Sequence, residues 1–333
     1  MRKIKVAQIG TSANSHGNYI FNSLKKNSDM FEIVGYVMPD NEREKFPNNM
    51  TMFEGYKELT LDEVMNDPEI DALVIETEEI YLTKYAQMAA EHKKHIHMEK
   101  PGGTNLSEFE KLIKTVKNNN TVFHMGYMYR YNPYIMELKE QIKRGELGDI
   151  VSVEAQMNCI QPQEVRRWLG NFHGGMMFFL GCHLIDLIYS IQGIPKNIIP
   201  LNKCSGVDGV TVEDFGMVVF EYENGVSFAK SSAVELGGFE RRQLVVTGTK
   251  KTVELKPLEW FFDGDKLVTS KYVRESRVWG AITPQQTSEP FDRYDEMMIS
   301  FAKMVNDEKQ NPWSYDYELE LYKIILKSCG VEF

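Results

Sequence analysis

Cysteine is scarce in this chain: there are four, Cys159, Cys182, Cys204 and Cys329, with no C-x-x-C spacing. That pattern implies neither a zinc site nor a disulfide framework, and it fits reduced thiols in a cytosol. No uncharged apolar run approaches the roughly 18 residues that a membrane span needs, so a soluble, cytoplasmic protein is expected. After Arg2 and Lys3 the chain passes straight into Ile4-Lys5-Val6-Ala7-Gln8-Ile9-Gly10, too short and too broken by charge for a secretory leader. No block of lysine and arginine stands against the formal net charge of -10, which repels phosphate backbones and anionic lipid headgroups. Nucleic acid and membrane surfaces are therefore not expected partners. The histidines show no metal-ligand spacing, and no metal is assigned. Internal repeats, low-complexity tracts and long linkers are missing too, which excludes solenoids and loosely tethered domains.

What is there suits an ordinary globular protein: 42% hydrophobic and 26% charged residues over 333 positions, enough for two cores. Over residues 1–125 short β-branched runs alternate with longer amphipathic stretches, the pattern of a parallel sheet covered by helices. The strands read as Ile4 to Ile9, Glu32 to Val37, Ala72 to Ile75, His95 to Met98 and Val122 to Met125. Thr60-Leu61-Asp62-Glu63 and Ser107-Glu108-Phe109-Glu110 have the spacing of capping boxes, in which hydroxyl and carboxylate satisfy free N–H groups at a helix start.

Residues 126–333 read differently. Ile150, Val151 and Val153 open a strand, and the runs Val218 to Tyr222 and Val226 to Phe228 flank Asn224-Gly225, a hairpin turn signal. Further strands are expected at Gln243 to Val246, Thr252 to Leu255 and Lys266 to Val268, with helices at Cys182 to Ile191, Phe291 to Val305 and Tyr315 to Lys327. The fold class is thus α/β: a parallel-sheet domain over 1–125, then an α+β domain over 126–333 with a mostly antiparallel, open-faced sheet. A cleft between two such domains is the expected ligand site.

The first strand runs into Gly10-Thr11-Ser12-Ala13-Asn14-Ser15-His16-Gly17 and then a helix. A Rossmann domain sets backbone N–H groups and a helix N-terminus against a pyrophosphate at this place. Only the first glycine of G-x-G-x-x-G is in register; Ser12 and Ser15 hold the other two places. Gly10, Ser12, Ala13 and Asn14 are the candidate phosphate-binding residues, joined by Thr77 past the third strand. Asp40, slightly late after the second strand, is placed to reach ribose hydroxyls, whereas Arg43 is placed to pair with a 2′-phosphate, so NAD and NADP both stay open.

At His97-Met98-Glu99-Lys100-Pro101 the chain resembles the Gfo/Idh/MocA family of glucose-fructose oxidoreductases and inositol dehydrogenases. Matching segments follow at Gly126-Tyr127-Met128-Tyr129-Arg130-Tyr131-Asn132-Pro133, Gly145-Glu146-Leu147-Gly148, Gly174-Gly175, His183-Leu184-Ile185-Asp186 and Thr247-Gly248-Thr249-Lys250. The resemblance implies an NAD(P)-dependent oxidoreductase acting on a carbohydrate-like molecule, assembled as a homodimer or homotetramer. It implies that Lys100 lies beside the nicotinamide ribose and the reacting hydroxyl, with Glu99 and Pro101 shaping the strand end around the cofactor. It also makes His183 the catalytic histidine, since a free imidazole with a pKa of about 6.5 exchanges a hydroxyl proton near neutral pH. Asp186, one helical turn on, shares its face and could orient the ring.

Tyr129, Arg130 and Asn132 offer donors and acceptors for substrate hydroxyls, and Arg166, Arg167 and Trp168 lie on a loop suited to a sugar ring. In one place the chain departs from the family pattern G-G-x-x-x-D-x-G-x-H: Phe179 stands where the aspartate is expected, leaving His183 as the acid/base of its neighbourhood. Two other functions stay open beside a dehydrogenase: NAD-dependent glycoside cleavage by transient oxidation, and a non-catalytic dinucleotide or sugar sensor.

Overall fold

The computed structural model describes residues 2–333. The chain divides into two compact units, one holding the residues up to Met128 together with Tyr294–Tyr322, the other Tyr129–Arg293 with Lys323–Phe333. The segment Tyr294–Tyr322, which a division of the sequence at residue 126 leaves with the second domain, clusters with the first. There the helix Asp295–Val305 packs beside the helix Gly17–Lys26, and Ser23 Oγ donates to Asp295 Oδ1 at 2.6 Å.

The first unit is built on strands β1 (Ile4–Ile9), β2 (Phe31–Val37), β3 (Ala72–Ile75), β4 (His95–Met98) and β5 (Phe123–Met125). They pair in the order β2-β1-β3-β4-β5, all parallel. Every residue of β3 is buried, as expected of a strand covered by helices on both faces. Strand order reverses between β1 and β3, and in doubly wound sheets ligands bind outside the carboxyl ends of the strands at such a switch point. Gly10 and Thr77 lie there. Gly10 has φ +82°, and a Cβ on it would lie 2.4 Å from the Thr77 Cα, so the first turn touches the end of β3 through a bare glycine.

The second unit carries β6 (Ile150–Asn158), β7 (Asn197–Pro200), β8 (Phe215–Tyr222), β9 (Gly225–Ser232), β10 (Gln243–Gly248), β11 (Thr252–Leu255), β12 (Trp260–Asp263), β13 (Lys266–Val268), β14 (Ser270–Arg274) and β15 (Gln286–Thr287). Eight of them form a sheet of order β15-β14-β11-β10-β6-β9-β8-β7, antiparallel but for the β6/β9 pair; β12 and β13 form a ribbon of their own. Burial alternates along β8 and β10, the mark of a sheet with one packed face, and the apolar helix Cys182–Gln192 lies against β6 and β9. Among the described residues no helix is long and apolar enough to cross a membrane.

Three local expectations shift. The capping box at Thr60 and Glu63 forms as read, but the helix Leu106–Asn119 is capped by Asn105, whose side chain accepts from Ser107 N and Glu108 N, and not by Ser107. The hairpin turn is Glu223-Asn224, because Gly225 already pairs with Tyr222; a Cβ there would meet Val151 O at 1.8 Å. The helix expected from Phe291 starts at Asp295, since Phe291 bridges to Leu267 instead.

Candidate active site

The turn after β1 is organised by a side chain that sequence reasoning passed over. Glu42 is fully buried; its Oε2 accepts from Thr11 N at 2.6 Å, and its Oε1 accepts from Glu78 N at 2.9 Å and from the Thr77 hydroxyl. This carboxylate ties the turn after β1 to the turn after β3. Burial pushes its pKa up, while the bonds from Thr77, Thr11 and Glu78 oppose the rise. Ser12 N donates to Glu76 O, Asn14 N to Ser12 Oγ and Gly17 N to Ser15 Oγ. Among the described residues, Ala13 N and Ser15 N take no hydrogen-bond acceptor. These two N–H groups, in the turn that leads into a ten-residue helix, are donors that a pyrophosphate requires, so the turn fits a dinucleotide despite its missing glycines.

At the ends of β3 and β4 lies a buried set of charges. Lys100 is 1% exposed and its Nζ sits 3.2 Å from Glu99 Oε1. Glu99 in turn needs the bare Cα of Gly126, because a Cβ there would come within 2.7 Å of its Oε2. Pro101 follows Lys100 through a cis peptide bond. Glu76 and Glu79 are buried in the same neighbourhood: Ser12 Oγ donates to Glu79 Oε2 at 3.1 Å, whereas neither Glu76 oxygen has a hydrogen-bond partner. Glu76 Oε1 lies 3.7 Å from His97 Nε2, and His97 Nδ1 is 2.8 Å from His124 Nδ1, so one ring donates and the other accepts.

Three carboxyls around one ammonium cannot all ionise cheaply away from water. Burial, then the Glu99 charge, raises the Glu76 carboxyl well above its ordinary range against the opposing pull of Lys100. Burial likewise raises Glu99, and Lys100 opposes the shift. His97 is pushed down to about 3 by burial, so the ring is neutral and its approach to Glu76 is not an ion pair. Burial raises Glu79 from 4.5 to about 7.

A pH dependence follows. Because the folded Glu79 holds its proton more tightly than the unfolded chain does, its contribution to stability is full below about pH 4.5 and is lost as pH rises through about 7. The loss amounts to about 3 kcal/mol. Glu79→Gln is expected to flatten the fall in unfolding free energy between pH 5 and pH 8, measured by urea titration; a variant with the slope of the parent contradicts the assignment.

The second unit gathers the remaining candidates. Met177–Gly181 wind as a π-helical turn into the helix Cys182–Gln192, which begins one residue before His183; such turns recur at functional sites. The His183 ring stands edge-on to Tyr129 at 5.5 Å. Tyr129 donates its hydroxyl to Glu259 at 2.9 Å, and Glu259 is clamped by Arg242 and Arg293. Burial alone would raise Glu259, but the two guanidiniums outweigh it and hold the carboxyl below its usual value. Arg130 donates from Nε and a terminal nitrogen to the Asp186 carboxylate, at 2.8 to 3.2 Å with both groups buried. Asp186 therefore anchors the helix of His183 to Arg130. Asn132 caps the helix Pro133–Lys143 and donates to Thr269 Oγ1, and the buried Arg166 pairs with Asp208 and Asp214. Arg167 is exposed; Trp168 is half-buried and edge-on to both Phe172 and Phe179.

The structure thus brings together Lys100 with Glu99, Ser12 with the turn after β3, Tyr129 with His183, and Trp168 with Phe179. Asp40 accepts from Tyr85 Oη on its Oδ2 at 2.6 Å and has Lys84 Nζ 3.5 Å from its Oδ1. Glu42, Glu76 and Glu79 are the residues that were missed. The run Glu76-Thr77-Glu78-Glu79 directly after an apolar strand was a usable signal for two of them; nothing local marks Glu42.

A parallel sheet whose switch point carries a phosphate-suited turn defines a dinucleotide-binding protein of the Rossmann class. Residues 4–127 match the family described as "Oxidoreductase family, NAD-binding Rossmann fold", and residues 135–254 match the "GFO/IDH/MocA C-terminal domain". The chain belongs to this family of NAD-binding oxidoreductases. Among curated relatives, a scyllo-inositol 2-dehydrogenase (NADP(+)) of Bacillus subtilis is 24% identical over 54% of this chain and 48% of its own length. A glucose-6-phosphate 3-dehydrogenase of the same organism is 26% identical over 75% of this chain and 73% of its own. The chain spans about half the length of several curated relatives it matches. A levoglucosan dehydrogenase solved with NADH and levoglucosan shares the fold at TM-score 0.79, 18% identity, and coverage of 99% of this chain and 98% of that one.

Proposed function

We propose that this protein transfers hydride between a hydroxyl-bearing carbon of a sugar, polyol or close relative and a nicotinamide dinucleotide. The observation that carries the reading is the buried ammonium of Lys100 at the carboxyl end of β4, beside the switch point. When bound, the nicotinamide supplies the hydride acceptor or donor. Ala13 N, Ser15 N and the start of the helix Gly17–Lys26 hold the pyrophosphate. Lys100 donates a hydrogen bond to the substrate oxygen and stabilises charge as it develops there, with Glu99 fixing the ammonium. In oxidation the hydroxyl proton passes to His183 while the C–H hydride leaves the same carbon; in reduction both return. With Phe179 in the expected aspartate place, His183 has no carboxylate from that position to share the proton. Trp168 offers an aromatic face to a sugar ring, and its relatives' named substrates, an inositol and a sugar phosphate, are of the same polyhydroxylated kind.

The test has two parts. Heating the protein with NAD or NADP should raise its unfolding temperature, a ligand at about 100 times its Kd adding about 2.7 kcal/mol. A panel of sugars, polyols and glycosides is then followed at the NADH absorbance band and for released aglycone. Absorbance change lost in both Lys100→Ala and His183→Ala supports the proposal; aglycone release without net NADH replaces it by transient-oxidation cleavage. No thermal shift with either dinucleotide sinks it.

A further inference from the structure

We infer that the site takes NAD rather than NADP, and that Glu58, by occupying Arg43, sets this choice; the inference rests on the dinucleotide reading above and deepens it. The 2′-phosphate that distinguishes NADP brings up to two negative charges and calls for an uncommitted cation, usually an arginine, past the second strand. Arg43 is the only arginine between Arg2 and Arg130, and it is already taken: its terminal nitrogen donates to Glu58 and, at 3.1 Å, to Tyr36 Oη. The two neighbouring lysines are committed as well, Lys45 to Glu78 at 2.7 Å and Lys84 to Asp40 at 3.5 Å. Each of these three cations thus has a carboxylate partner, Glu58, Glu78 or Asp40.

The hydroxyls of an unphosphorylated ribose carry no charge and can donate to carboxylates, so the same surroundings do not count against NAD. Nothing in the sequence alone reveals this, since Arg43 lies where a phosphate-binding arginine would be expected; only the position of Glu58 shows that it is occupied.

The test is direct binding of NADH and of NADPH to the full chain, read by nucleotide fluorescence, for the parent, Glu58→Ala, and Glu58→Ala with Arg43→Ala. The parent should bind NADH more tightly than NADPH by about tenfold or more. Glu58→Ala removes an exposed side chain, so folding is not at risk, and it should lower the Kd for NADPH by up to about fivefold as Arg43 becomes available. Adding Arg43→Ala should cancel that gain. A parent that binds NADPH as tightly as NADH overturns the inference and leaves the dinucleotide reading intact. An unchanged ratio in Glu58→Ala overturns the role of Glu58. A protein that binds neither nucleotide overturns the reading beneath it.

Discussion

Lys100→Met is expected to lower the rate of hydride transfer by about 10²–10³-fold, the usual cost of losing one donor aimed at developing oxygen charge in a dry site. Methionine keeps the length and apolar stem of lysine, so packing survives and the loss reports the ammonium. Stability should fall as well, and the fall should depend on pH. Lys100 is the cation beside Glu99, and it restrains the raised pKa of Glu76 and Glu79. Without it the three carboxyls lose their compensating charge, a situation that costs about 3–5 kcal/mol when one partner of a buried pair is removed. At pH 5 the acids can relieve the strain by taking protons; at pH 8 they cannot do so as easily. Urea unfolding of Lys100→Met should therefore show a larger deficit at pH 8 than at pH 5, together with the drop in kcat. Equal deficits at the two pH values would mean that the carboxyls do not depend on the lysine. Lys100→Arg is not expected to restore the rate, because a planar fork does not occupy the place of a compact ammonium.

That cluster also marks how far the residues can be read without coordinates. β1, β3 and β4 begin and end where the sequence places them: β3 is an apolar run, β1 and β4 interleave apolar with polar residues, and each is closed on both sides by charged or glycine-containing segments. Ends are less legible where two candidates compete. Asn105 and Ser107 both carry a capping oxygen, and only the extended backbone at Asn105 (φ -125°, ψ 119°) decides which lies outside the helix. Lys100 and Glu99 are legible from their tripeptide. Glu42 is not, since its partners Thr11 and Thr77 lie 31 and 35 residues away and no local spacing announces a bond of that range. Arg130 and Asn132 look like free donors in sequence, but buried donors must find partners, and the fold satisfies them with Asp186, Thr269 and backbone groups. The aromatic wall of Trp168 and Phe179 is hidden for a related reason: the residues are 11 apart and meet only because a π-helical turn brings the phenylalanine round.

Asp186→Ala carries the second large effect, a loss of about 3–5 kcal/mol in unfolding free energy. Arg130 and Asp186 are both buried and share a bidentate contact, so deleting the carboxylate strands a guanidinium that cannot shed its charge. The consequence for chemistry is indirect. Asp186 lies one turn beyond His183 on the same helix, and losing its anchor loosens the element that holds the imidazole edge-on to Tyr129. Turnover should fall with a pH profile that keeps its shape, because no proton passes through Asp186; loss of a limb of that profile would instead make the aspartate a partner in proton exchange. Replacing both residues, Arg130→Met with Asp186→Leu, separates charge from packing. A buried ion pair exchanged for apolar side chains of similar size is often neutral or better, so the double variant should recover most of the stability that either single variant loses. If it recovers none, the geometry of the salt bridge itself, and not the avoidance of a stranded charge, is what holds the His183 helix in place.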